Sequence, residues 1–156
     1  MTNPAHTLGA HLHIRLMAII YDTFLILAIS MAYGAIATFL VAQIQGTSEN
    51  NYNPTISGPL FQMGWAFTLL VFYCYFWIKA GQTVGMKAWR LKLISTTDKP
   101  LTIAQCVLRF FLGLISLACG GIGFLWVLID KNNDALHDKL CKTRMIRTEK
   151  IPKKHK

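Results

Sequence analysis

The chain has 156 residues, a formal net charge of +9, 53% hydrophobic residues and only 15% charged ones. A soluble domain carries about 25% charged residues, and a deficit this large leaves too little polar surface to coat a globule in water. Composition therefore excludes an ordinary soluble enzyme and points to an integral membrane protein. The four cysteines, Cys74, Cys106, Cys119 and Cys141, form no C-x-x-C pair, so a disulfide framework or a zinc site has little support.

The first fourteen residues hold no Lys or Arg. The basic start of a cleavable signal is missing, and the first apolar block reads as a retained helix. His11 and His13 read as an interfacial pair, since no cysteine or acid lies near to complete a metal site. Leu16–Ala42 contains one charged residue, Asp22. A helix spans the bilayer with about 20 predominantly apolar residues, so a spanning helix is expected over about 14–42. Gln43–Pro59 has no basic residue and is rich in turn formers, which predicts an irregular loop. Leu60–Ile78 has no charge and predicts a second spanning helix over about 60–79. Tyr73, Tyr75, Phe76 and Trp77 mark its interfacial end.

Gly81-Gln82-Thr83-Val84-Gly85 reads as a tight interfacial turn in which Thr83 can cap a short helix. A phosphate-binding loop needs G-x-x-x-x-G-K-[ST], which is absent. Arg90–Ser95 alternates charged and apolar residues, the period of a strand, and Thr143–Thr148 has the composition to pair with it. Thr102, after Pro100, can cap the next helix.

Leu101–Ile129 contains one charged residue, Arg109. Basic residues stay on the cytoplasmic side. Lys79, Lys87, Arg90, Lys92 and Lys99 therefore put that segment inside, and so do the nine Lys and Arg of Lys131–Lys156. A single crossing by Leu101–Ile129 would leave the basic tail outside, and two full crossings need about 40 residues. The expected solution is a bent or re-entrant hairpin with helices over about 101–118 and 121–130, folded at Gly120 and Gly121. The alternative is one tilted span with an external tail. The fold class is thus an all-α membrane protein with two full spanning helices, a bent hairpin and a small cytoplasmic strand element. It occupies residues 1–148, followed by a basic tail over 149–156. Both termini are expected in the cytoplasm.

Asp22 lies about 10 Å along the helix from Arg15, too deep to reach the headgroups. A carboxylate there is costly unless it is paired, wet or protonated. Arg109, at a similar depth, is the first candidate partner, and Arg15 the second. One reading has Asp22 bind a cation or relay a proton. The other has Asp22 and Arg109 form a static clamp between helices. Asp130, Asp134, His137 and Asp138 form an acid-and-imidazole cluster, read mainly as helix capping, with Asp134 capping the helix that begins at Ala135. No catalytic triad or paired carboxylates are evident, so neither an enzyme nor a cofactor is expected. The basic tail is expected to hold anionic lipid headgroups. No aromatic residue follows Trp126 to stack on bases, which argues against nucleic acid.

These features resemble the RDD family of bacterial multi-pass membrane proteins, named for an arginine and two aspartates. The resemblance rests on Arg15 and Asp22 in the first helix, the turn Gly81-Gln82-Thr83-Val84-Gly85-Met86-Lys87, Arg109, and Leu136-His137-Asp138-Lys139-Leu140 before Thr143. It covers roughly residues 12–148. The second aspartate is assigned to Asp138, with Asp130 as the rival. The resemblance implies a multi-pass protein of the bacterial inner membrane, and ion or small-solute transport. A three-helix protomer encloses no pore, so a homo-oligomer is expected.

Overall fold

The computed structural model describes residues 9–45, 58–97 and 99–148. Most of the expected irregular loop and the whole tail over 149–156 lie outside the described residues. The chain forms α1 (Leu12–Gln45), α2 (Pro59–Ala80), α3 (Val84–Ala88), β1 (Leu91–Ser95), α4 (Ile103–Ala118), α5 (Ile122–Leu125), a 3-10 turn (Trp126–Leu128), α6 (Leu136–Leu140) and β2 (Thr143–Arg147).

Two of these helices are long and apolar enough to cross a membrane: α1, and α2 with the turn that follows it. At 1.5 Å per residue α1 is about 50 Å long, well beyond the ~30 Å hydrocarbon core. Phe24, Met31, Phe39 and Ile44 of α1 stand exposed, as do Leu60, Met63 and Phe67 of α2. Water would not tolerate that area, but lipid would. Pro59 starts α2, where its missing N–H costs nothing. Gly81 ends it in the left-handed conformation (φ 68°), its N–H bonded to the Trp77 carbonyl at 2.9 Å.

α4 is amphipathic in an inverted sense. Cys106, Arg109, Phe110 and Ser116 face inward, while Ile103, Leu108, Phe111, Leu114, Ile115 and Leu117 face out. Its start is fixed by a capping box between Thr102 and Gln105, which places its first turn at Ile103 instead of the expected 101. The helix axis then turns by 103° between Ile103–Ala118 and Ile122–Leu128. The bend uses Gly120 (φ 71°) and Gly121 (φ 79°), as the glycine pair suggested. It is nearer a right angle than a closed hairpin. The expected second helix over 121–130 is also broken, because only Ile122–Leu125 is α-helical before the chain tightens into the 3-10 turn.

β1 and β2 pair antiparallel, Leu91 opposite Arg147 and Ser95 opposite Thr143. Leu91, Leu93 and Ser95 point inward, as the alternation required. Gly9 bridges to Ile146, and the Ala10 N–H bonds to the Met145 carbonyl, so the approach to α1 runs along the outer edge of β2. The buried core gathers where the helices meet this sheet: Ile14 and Ala18 of α1, Trp77 of α2, Met86 of α3, Leu91 and Leu93 of β1, and Cys106 and Phe110 of α4.

Candidate functional site

Asp138 is fully buried and stands between two arginines. Arg15 Nη1 donates to its Oδ2 at 2.5 Å, Arg109 Nη1 donates to its Oδ1, and the Ala135 N–H donates to Oδ2 at 3.2 Å. Burial by itself would raise this carboxyl, but the charges of Arg109 and Arg15 prevail and hold it well below the usual carboxylate range. Arg15 also gives Nε to the Ala10 carbonyl and Nη2 to the Asn133 carbonyl. Asn133 sits at φ 56°, a conformation asparagine tolerates better than most residues. One carboxylate thus ties the start of α1, the middle of α4 and the first turn of α6.

The expected pairing of Asp22 with Arg109 is not formed, nor is the second-choice pairing with Arg15, because both guanidiniums are drawn to Asp138. Asp22 is held instead by the turn after α2. Thr83 Oγ1 donates to Oδ2 at 2.5 Å and the Gly85 N–H donates to Oδ1 at 2.8 Å. Thr83 also accepts from the Met86 N–H and so caps α3, as expected. Gly85 permits this approach, since a Cβ there would lie 2.3 Å from the Ala18 carbonyl oxygen and 2.8 Å from the Asp22 carboxyl. Gln82 lies half-buried between Gly81 and Thr83.

Within the acidic cluster, Asp134 does not cap α6 as expected. Its carboxylate takes Nε and Nη2 of Arg144, the latter at 2.7 Å, and so fastens the loop to β2. Asp130 accepts from the Asn132 and Asp134 amides and pairs with Lys139, which lowers its pKa. Between the two rival aspartates, Asp138 is the one buried with arginines. His137 is pushed down to about 4 by burial and by Arg109, so it is neutral at pH 7. Its ring packs edge-on to Phe124 at 4.7 Å. Its Nδ1 and the Ser116 Oγ have no protein partner among the described residues. Both lie against Gly123, where a Cβ would stand 2.3 Å from Ser116 Oγ and 3.7 Å from His137 Nδ1.

Arg15, Asp22, Arg109 and His137 line one cavity of about 180 Å³, walled otherwise mostly by apolar and aromatic side chains of α1, α2 and α4. Four of the residues expected to matter are thereby engaged in two networks, and three of those four line one space. Sequence reasoning missed that Thr83 and Gly85 are the partners of Asp22, and it missed Thr143, which accepts from Arg109 at 3.0 Å. A Thr and a Gly in a turn look like capping residues, and nothing local shows that the turn also faces α1. The exposed pair His11 and His13 stack on each other at 5.9 Å, away from this site. Among the described residues no group of three or more His, Cys, Asp or Glu is placed to hold a metal ion.

The family model for the RDD family matches residues 10–142 of the chain. No curated protein and no solved structure matches it.

Proposed function

The chain belongs to the RDD family of membrane proteins, and from that premise we propose that it is of transport type, with its solute site in the cavity lined by Arg15, Asp22 and Arg109. The observation that carries this reading is the convergence of three buried charges on one space of about 180 Å³ among apolar helices. Ionisable residues in such surroundings are costly and mark substrate or ion paths. Asp22 is the group that would meet a cation or a proton. Each of its oxygens takes one hydrogen bond from the protein, and a carboxylate oxygen has capacity for more.

The basic residues of the sheet end support an arrangement with that end, and both termini, on the cytoplasmic side of a bacterial inner membrane. The bent α4–α5 segment then enters and leaves from that side, and the basic tail lies on anionic headgroups. A homo-oligomer would complete the path, since one protomer has few helices to surround it.

A second reading is a non-transporting scaffold. It is favoured by the fact that Asp22 and Asp138 both already have partners inside the protein. Flux across proteoliposomes separates the two. On the transport reading, wild type moves a proton or cation down an imposed gradient, and Asp22→Asn abolishes that flux in protein that still melts cooperatively. Wild type that is silent under proton, sodium, potassium and carboxylate gradients would leave the scaffold.

A further inference from the structure

We propose that the cavity binds a small organic carboxylate through the free edge of Arg109. This adds an anionic solute at Arg109 to the cation or proton at Asp22 in the same cavity, and it rests on the transport reading for its physiological meaning. Arg109 is 4% exposed and lines the cavity. It spends only Nη1 on the protein, to Asp138 and to Thr143. Among the described residues neither Nε nor Nη2 has an acceptor. Those two N–H groups share one edge of the planar guanidinium, and their fork matches a carboxylate in bidentate fashion. The edge is therefore open to a ligand that brings two oxygens.

The surroundings narrow the choice. The Trp77 ring centroid lies 5.5 Å from the guanidinium carbon and the ring covers one face of it. Arg15 and Arg109 share the single negative charge of Asp138, so this triad carries one uncompensated positive charge. Asp22 turns both oxygens to Thr83 and Gly85. Tyr73 also lines the cavity, its ring packed on Trp77 and Phe110. The remaining wall includes Ile19, Met86, Phe110, Leu114, Leu117 and Phe124. An apolar wall with one anion-binding fork fits an acid with a hydrocarbon or aromatic body. A cavity of about 150 Å³ accepts benzene, so this one takes a solute up to the size of benzoate.

The test is calorimetric titration of the full chain in detergent with benzoate, butyrate, the neutral benzamide and the cationic benzylamine. Benzoate and butyrate bind, and benzamide and benzylamine bind at least tenfold more weakly. Arg109→Lys keeps the charge but loses the fork, and weakens benzoate at least tenfold. Because that substitution also touches the Asp138 network, a second variant fills the space instead. Gly113 lines the cavity, and a Cβ there meets nothing within 4 Å. Gly113→Leu therefore loses benzoate binding at a melting temperature no lower than that of wild type. Benzamide binding as tightly as benzoate, or Gly113→Leu binding benzoate like wild type, overturns the proposal. Cation flux with no carboxylate binding removes this inference and leaves the transport reading. Carboxylate binding without any flux does the reverse.

Discussion

Arg15 and Asp138 stand 123 positions apart in the chain and meet at 2.5 Å in the buried core. Arg109 grips the other oxygen of the same carboxylate. The start of the first membrane helix, the middle of α4 and a short helix near the end of the family match are therefore fixed to one point. Breaking a buried pair from one side is far worse than never having it, because the remaining charge stays desolvated.

Asp138→Ala leaves two buried guanidiniums unpaired. The expected loss is about 3–5 kcal/mol, read as a large drop in melting temperature in detergent. Asp130→Ala loses a loop cap and a pair with the exposed Lys139, for about 1 kcal/mol. Equal losses at the two positions would contradict the assignment of Asp138 as the central aspartate.

The turn after α2 is expected to be intolerant of a single methyl. Gly85→Ala places a Cβ 2.3 Å from the Ala18 carbonyl oxygen, backbone that cannot swing aside. It should cost at least about 2 kcal/mol, in the range of other overpacked sites. Gly34→Ala is the control, since a Cβ there meets nothing within 4 Å. In mid-helix it should stabilise by up to about 1 kcal/mol. Thermal melts of the two variants check the contrast.

Thr83 and Asp22 form a hydrogen bond to a carboxylate, worth about 1.5–3 kcal/mol. A double-mutant cycle of Thr83→Val and Asp22→Asn should recover a coupling energy of at least about 1 kcal/mol. The same cycle between Asp22→Asn and Arg109→Lys should give less, because the two side chains hold different partners. The reverse order would restore the direct pairing of Asp22 with Arg109.

His137 gives the fold a pH dependence. Its pKa in the folded chain is lowered from 6.5 to about 4. The unfolded chain therefore binds the proton first. The stability linked to neutral His137 is present above pH 6.5 and is lost as pH falls from 6.5 to 4. A shift of this size corresponds to about 3 kcal/mol. His137→Phe keeps a ring against Phe124 and removes the titration, so its melting temperature should vary less over that window than that of wild type. An unchanged slope would place the titration elsewhere.

Much of the architecture was legible because it follows from local rules. The apolar blocks set α1 and α2, the alternation Leu91-Lys92-Leu93 set β1, and Gly120-Gly121 set the bend. Thr102 was legible as a cap, while the part of Gln105 in the capping box, which starts α4 at Ile103 instead of 101, was not. The angle of the bend was not legible, since it depends on how α5 packs against α4 and α6. The partners of Asp22 were not legible either. Charge and depth made Arg109 the obvious partner, but α6 brings Asp138 to both arginines, and the Gly81–Gly85 turn reaches Asp22 first. Those are choices among long-range contacts, and spacing along the chain carries no record of them.

The central claim, that the charged cavity is a path for a solute, is tested most directly by flux through proteoliposomes holding wild type or Gly113→Leu. The account predicts that wild type dissipates an imposed gradient of proton, cation or carboxylate. It predicts that Gly113→Leu blocks that flux while its melting temperature is no lower than that of wild type, because it fills space and leaves Asp138 and Asp22 in place. Equal flux from the two proteins would contradict the claim.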